Sequence, residues 1–331
     1  MFKNELPPTN GLPLICHDLY SRPKQPLDVA LSKLLNIPKP LLTCSGTVAF
    51  IVTLQTLHSI KAHKTHVIVP AWTCPLVVLA IEKINLVPVI CDLEKDSLDL
   101  NIEHLQQLIT PQTLAIVATH YAGLAQNIIT IKKIAEQHQC FLIEDAAQSM
   151  GAKFQKHSVG LIGDVAFFSM AFGKGLTSAE GGVLFSQDPS LHQAMQHTLV
   201  QISQQSSLEL LRCLELFAYY CLYHPFGLNF IYGYSRKKAL KNHNDIKAVG
   251  DDFDQDSIPI HQLGQWRSQV ASNASERLQV HWEYANMQAK QRILQLKKLP
   301  FLHVFEAEPD TDSTYPFILL LVKSKPLTDK I

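Results

Sequence analysis

Apolar residues in this chain fall into short unbroken runs that alternate with stretches of helical period. LLTCSGTVAFIVTLQTL opens with an apolar run that stops at Ser45-Gly46-Thr47 and then keeps helical spacing to Leu57. HVIVPAWTCPLVVLAIEKI repeats the scheme and predicts a strand at Val67–Val69, a turn carrying Pro70 and Pro75, and a helix. VPVICDL predicts a strand ending at Asp92, and TLAIVATHYAG another ending near His120. IITIKKIAEQHQ has the spacing of an amphipathic helix. CFLIEDAAQSMGA predicts a buried strand ending at Glu144-Asp145, and DVAFFSM and GGVLFSQ predict two more. Strand–helix alternation of this kind implies an α/β fold whose mostly parallel sheet is covered by helices.

Outside this stretch the pattern changes. The first forty residues, rich in proline and leucine, read as an arm leading into a first helix. From about Gln201 the spacing is helical. Leu216 to Tyr234, LFAYYCLYHPFGLNFIYGY, carries no Asp, Glu, Lys or Arg. KNHNDIKAVGDDFDQDS reads as a linker, QLGQWRSQVASNASERLQVHWEYANMQAKQRILQL as one or two long helices, and YPFILLLVK as a closing strand. Pro225 and Gly227 break the uncharged run, and His224 and Asn229 would need partners in hydrocarbon, so it is not read as a membrane span. Core or dimer packing is the expectation for it. Attachment to a membrane surface through Leu216 to Lys238, using the basic residues that follow, is the alternative.

The chain has 331 residues, enough for one large domain and a smaller one. Its formal net charge of +0 removes the broad basic field of a general nucleic-acid binder. The seven cysteines include no C-x-x-C pair and read as reduced thiols of a cytoplasmic protein. The opening MFKNELPPTN lacks the apolar core of a signal peptide. Fifteen histidines form no H-x-x-x-H or H-E-x-x-H pattern, so no metal site is expected.

Three polar clusters fall where the predicted strands end, the edge at which parallel sheets bind ligands. Ser45, Gly46 and Thr47 open a helix and form either a phosphate cradle or an ordinary serine cap. Asp145 can pair with a ring N–H of a heteroaromatic ligand or cap a following helix; Ala146 and Ala147 leave room for a flat ring and Gln148 can reach its edge. Lys174 lies between two glycines in FFSMAFGKGLTSAEGG, a setting suited to a lysine that meets a carbonyl compound as a Schiff-base partner. A phosphate cradle, a ring-holding acid and a Schiff-base lysine together match what pyridoxal phosphate requires.

The ordered set SGT, VPAWTCPLVVLAI, CDL, IEDAAQSMGA and GDVAFFSM…GKGLTSAEGG resembles the DegT/DnrJ/EryC1/StrS family of sugar aminotransferases, with QLGQWRSQVASNASERLQ a weaker extension. The resemblance implies a fold-type I pyridoxal phosphate transferase. Residues 1–250 would form the large cofactor-binding domain with its arm, and residues 251–331 a short C-terminal α/β domain. It implies that Lys174 is the Schiff-base lysine, that Asp145 faces the pyridine nitrogen, and that Gln148 lies near the ring hydroxyl. Gly46 and Thr47, with Ser45, and Ser169 would hold the phosphate. The stacking aromatic of the family usually follows the threonine of PAWTC, where this chain has Cys74; Trp72 lies two residues before. Gly175 stands where the family often has Asn, the family's G-x-N-x-R stretch is not found, and the chain ends soon after YPFILLLVK.

The expected function is transfer of an amine from an amino acid, glutamate in the first instance, to a nucleotide-linked keto-sugar, by a cytoplasmic homodimer. A degenerate, non-catalytic homologue acting as a binding or scaffold protein is the alternative. The dehydratase branch of the resemblance replaces the lysine by histidine, and Lys174 argues against it.

Overall fold

The structure is a computed structural model and describes residues 10–203, 208–229, 234–242 and 258–323. Most of the expected linker, residues 243–257, lies outside them, as do residues 230–233 of the uncharged run.

The centre is a seven-stranded sheet formed by β1 (Leu41–Thr43), β2 (His66–Pro70), β3 (Val87–Cys91), β4 (Thr113–Thr119), β5 (Phe141–Asp145), β8 (Val165–Ser169) and β9 (Gly182–Phe185), in the order β1-β9-β8-β5-β4-β2-β3. From β3 to β8 all neighbours are parallel; β9 runs antiparallel to both β8 and β1. Every residue of β4 and β8 is buried, because helices cover both faces. Strand alternation sorts the side chains between the two layers. Val67, Val69, Ala115, Val117, Ile143, Val165 and Phe167 share a core with the helices Gly46–Ile60 and Pro75–Lys83. Ile68, Ile116 and Leu142 pack on Ile131, Ile134 and Ala135 of the helix Ile129–Gln137. Each fully buried aliphatic side chain contributes about 1.5–3 kcal/mol relative to exposure.

The arm forms two helices, Cys16–Tyr20 and Leu27–Leu35, and joins a core with Phe168, Val183, Phe185 and the helix Gln265–Ser275. Polar side chains make the join specific. Asn273 donates to the carbonyls of Asp18 and Ser21, Ser272 to that of Gln25, and Trp266 Nε1 to that of Leu19. The expected C-terminal helical stretch is thus two helices, Gln265–Ser275 and Leu278–Leu296. Two small sheets complete the strands: β6 (Lys153–Phe154) lies between β7 (His157–Ser158) and β11 (Thr311–Asp312), and β10 (Leu302–Val304) pairs with β12 (Leu320–Val322). The closing strand is therefore shorter than YPFILLLVK. The chain before it is diverted: Tyr315 takes a positive φ of 43°, Thr314 N–H donates to Gly123 O, and the Pro316 carbonyl accepts from Asn10 N–H of the arm.

The run from Leu216 is only half buried. The helix Leu208–Leu222 ends before His224, a short helix Pro225–Leu228 follows, and Leu216, Tyr219, Gly227 and Leu228 face inward. Among the described residues no helix is long and apolar enough to cross a membrane. The seven cysteines are unbridged.

Candidate active site

The parallel strands β2, β4, β5 and β8, together with β1, end at one edge of the sheet, and the sequence-selected residues gather there. Ser45 follows β1 and caps the helix Gly46–Ile60, its Oγ accepting from Val48 N–H at 3.1 Å. The serine-cap reading therefore holds. It leaves the N–H groups of Gly46 and Thr47 on the open first turn, where an α-helix has no carbonyl partners to offer and its dipole favours an anion. Gly46 is needed for close approach: a Cβ there would lie 3.1 Å from Ser169 Cβ, at the end of β8. The Ser45–Thr47 turn and Ser169 thus form one cradle.

Asp145 ends β5 in register with Thr119 of β4 and Phe167 of β8. It is 5% exposed, and Oδ1 accepts from Ala147 N–H at 3.0 Å. The alternative role as a helix cap becomes a turn cap, because turns rather than a helix follow β5, and it occupies only one oxygen's side of the carboxylate. Burial pushes the Asp145 carboxyl above the usual range, against the lowering influence of the Ala147 N–H, Lys174 and His120. A buried acid held this way gains from a cationic or N–H partner.

Lys174 sits in a loop between β8 and β9. The flanking glycines have φ of 78° at Gly173 and 84° at Gly175. That left-handed conformation explains why glycine brackets the lysine. The arm fixes the loop from one side, Leu12 N–H donating to Gly175 O at 2.8 Å. Gln148 presents its Oε1 to Ala122 N–H at 3.0 Å, which assigns the amide orientation and leaves its NH₂ as the donating end.

Trp72 stacks on Tyr121, with ring centroids 5.2 Å apart and planes at 16°, and Tyr121 Oη donates to the Trp72 carbonyl at 2.6 Å. One indole face is thereby taken by Tyr121. Cys74 is exposed at the N-cap of the helix Pro75–Lys83. Between them Thr73 Oγ1 is buried with no hydrogen-bond partner among the described residues, a polar atom left over for a ligand.

Several further residues order this edge without a chemical signature of their own in the sequence. His120 Nδ1 accepts from Gln126 N–H at 3.0 Å, so the proton is on Nε2, which donates to Glu144 Oε2 at 2.9 Å. Glu144 also receives N–H bonds from Gly160, Ile162 and Gly163. Burial raises its carboxyl, but the His120 and backbone donors outweigh burial and hold it below the usual range. Arg267, fully buried, donates to the carbonyls of Ser178 and Glu180 in the lysine loop. Their sequence signal is position alone: His120 ends a strand, Glu144 precedes Asp145 within IEDAAQSMGA, and Arg267 lies in QLGQWRSQVASNASERLQ.

Residues 24–209 match the model of the DegT/DnrJ/EryC1/StrS aminotransferase family. The chain belongs to that family. It is similar to the L-glutamine:2-deoxy-scyllo-inosose aminotransferase of Streptomyces kanamyceticus, 37% identical over 153 residues, which is 46% of this chain and 35% of the relative. GDP-perosamine synthase of Vibrio cholerae is 30% identical over 159 residues, 48% of this chain and 43% of the relative. The chain thus spans well under half the length of these two curated relatives. Among solved structures, the sugar aminotransferase CalS13 from Micromonospora echinospora superposes with a TM-score of 0.73 at 16% identity, over 98% of this chain and 82% of that one. That likeness shows the fold: an α/β architecture around a mostly parallel sheet, as the alternation of runs predicts.

The residues present suit pyridoxal phosphate. The cradle at Gly46, Thr47 and Ser169 offers N–H and hydroxyl donors to a phosphate, Asp145 offers a buried carboxylate to a ring nitrogen, and Lys174 offers an amine. Seated there, the group supplies an electron-accepting ring and a carbonyl carbon.

Proposed function

We propose that this protein is a pyridoxal phosphate-dependent aminotransferase that moves an amine from an amino acid, glutamate in the first instance, to a nucleotide-linked keto-sugar. The observation that carries the reading is the meeting of Lys174, Asp145 and the Gly46–Ser169 cradle at one edge of the sheet. The relatives named above support an amine transfer to sugar-like acceptors.

In this reading each residue has one task. Gly46 and Thr47 N–H groups and the Ser169 hydroxyl bind the phosphate and set the depth of the ring. Asp145 holds the proton on the pyridine nitrogen, and the raised carboxyl relaxes once that cation is beside it. Gln148 donates to the ring substituent, and Trp72 and Cys74 line the open side. Lys174 Nζ would hold the cofactor's carbonyl carbon and serve as the base for the donor's Cα proton. The homodimer and the cytoplasmic location belong to the same proposal.

The test is a two-step reaction with purified protein. With added pyridoxal phosphate, the visible spectrum should show a bound chromophore. L-glutamate and L-glutamine, supplied separately, should bleach it with release of the keto acid, and the better of the two identifies the donor. A nucleotide-linked keto-sugar should then restore the band and leave as an amino-sugar. A chromophore that no amino acid bleaches would support the non-catalytic alternative instead.

A further inference from the structure

The turn at residues 313–316 binds to both sides of the candidate site. Toward one side, Thr314 N–H donates to the Gly123 carbonyl at 3.1 Å. The two residues before Gly123 hold Gln148 and Trp72. Ala122 N–H donates to Gln148 Oε1 at 3.0 Å, and Tyr121 Oη donates to the Trp72 carbonyl at 2.6 Å. Toward the other side, the Pro316 carbonyl accepts from Asn10 N–H of the arm at 2.6 Å. Two residues on, Leu12 N–H donates at 2.8 Å to the carbonyl of Gly175, which follows Lys174. Gln148 and the Lys174 loop are thus joined through one turn.

The turn is itself tightly held. Ser313, Thr314 and Tyr315 are buried. Tyr315 shares a buried cluster with Tyr121 and Leu124, and its Oη accepts from Ala307 N–H at 2.9 Å. Asn286, on the helix Leu278–Leu296, donates from Nδ2 to the Ser313 carbonyl at 2.6 Å. The fit against Gly123 is close: a Cβ there would lie 2.5 Å from Tyr315 N and 2.7 Å from Pro316 Cδ. Ala122 and Tyr315 hold φ of 51° and 43°, left-handed values that residues other than glycine keep only where their surroundings fix them. Residues 313–316 lie beyond residues 24–209 that match the family model, so the match gives them no role. On the reading of Gln148 and Lys174 as cofactor-holding residues, we infer that the turn 313–316, anchored by Asn286, is a positioning element that sets Gln148 and the Lys174 loop relative to one another. Asn286 acts on them through the turn. Groups that must meet one ligand from two sides tolerate little relative displacement.

The test measures amide exchange without cofactor, and pyridoxal phosphate affinity by absorbance, in the full native chain, Asn286→Ala and Asn286→Asp. Aspartate keeps the shape of asparagine but at neutral pH turns a carboxylate, with no proton to donate, toward the Ser313 carbonyl. In both variants exchange should quicken at residues 121–124 and also at residues 10–12 and 173–176, while β4 stays unchanged. Pyridoxal phosphate binding should weaken by up to about tenfold in Asn286→Ala, the net worth of one hydrogen bond, and further in Asn286→Asp. Gly123→Ala, which drives a methyl group into Tyr315, should give the same two-sided pattern more strongly. If that variant fails to fold, the Asn286 variants decide. The inference falls if exchange quickens on one side only, on neither, or uniformly. It falls also if both sides loosen and the affinity holds, or if Asn286→Asp behaves as the native chain does, since a packing role survives that change. A native chain that takes up no pyridoxal phosphate sinks the functional reading instead, and the exchange pattern alone then decides whether the two sides share the turn.

Discussion

Arg267 grips Glu209 in a two-pronged ion pair, Nε to Oε1 at 2.9 Å and Nη2 to Oε2 at 2.6 Å. Its remaining nitrogen, Nη1, holds the carbonyls of Ser178 and Glu180 at 2.9 and 2.6 Å. One buried guanidinium thus joins three separate pieces of chain: the helix Gln265–Ser275, the helix Leu208–Leu222 and the lysine loop. Arg267→Ala leaves Glu209 and two carbonyls without their donor. The side chain of Glu209 is 28% exposed and regains some water, so the expected loss lies near the low end of about 3–5 kcal/mol. Denaturant titration measures it. Arg267→Lys keeps the charge but not the fork and should recover only part. Amide exchange should quicken in residues 176–182 and not in β4; a uniform change would show that Arg267 acts on global stability alone.

Glu144 predicts an acid-sensitive fold. Its carboxyl lies below the ordinary range in the folded protein, despite burial, because His120 and the N–H groups of Gly163 and Gly160 favour the charged form. The unfolded state therefore binds the proton more readily. The stabilisation is complete above the unfolded value and is lost as pH falls through the ordinary carboxylate range and then through the lower folded value. Glu144→Gln should flatten this acid limb. It should also cost about 1–3 kcal/mol at neutral pH, since the amide nitrogen faces donors that need an acceptor. Melting temperature against pH for both proteins checks the two effects together.

The sequence made the sheet legible because buried parallel strands are unbroken apolar runs, and those of β4 and β8 are buried at every residue. The site edge was legible for the same reason: Ser45, Asp145 and Ser169 stand at or next to the ends of those runs. Arg267 was not. QWRSQVASNAS has a polar surface character, yet Arg267, Ser272 and Asn273 are buried because their partners lie far off in sequence, on the arm and the lysine loop. Local pattern carries no trace of such contacts. The facing of the helix Leu208–Leu222 escaped for a related reason. Its apolar residues suggest a core, and the distant partners of Glu209, Arg212 and Tyr219 show which side turns inward.

Lys174 should carry the pyridoxyl group after borohydride reduction of the protein with saturating pyridoxal phosphate. The motivation is its loop, shaped by Gly173 and Gly175 and tied to the arm through Leu12. Peptide mass spectrometry locates the label. Label on Lys132 or Lys153 instead, or none at all, would refute the assignment. Gly175→Ala tests the geometry separately. A Cβ there would lie 3.6 Å from Trp282 Nε1, so space is available and the backbone conformation sets the cost, about 1–2 kcal/mol.

Asp145→Asn should make the ligand-free protein more stable and the enzyme slower. Burial raises the Asp145 carboxyl above its usual range, ahead of the opposing influence of Ala147, Lys174 and His120. A carboxyl with a raised folded value binds protons more readily in the folded state. Stability then declines as pH climbs from the unfolded value through the folded one, and above both the whole penalty applies. Asparagine carries no charge to bury and can still accept from Ala147 N–H through its side-chain oxygen. The melting temperature without cofactor should therefore rise, and the rise should vanish at a pH low enough to protonate Asp145. With cofactor the ordering should reverse, because asparagine cannot keep the ring nitrogen protonated. Single-turnover reaction with the amino donor should slow by several orders of magnitude, as expected when a preorganised charge is removed from the reacting centre. An asparagine variant that melts lower than the parent without cofactor would refute the burial penalty. One that turns over at the parent's rate would refute the role of Asp145 at the ring.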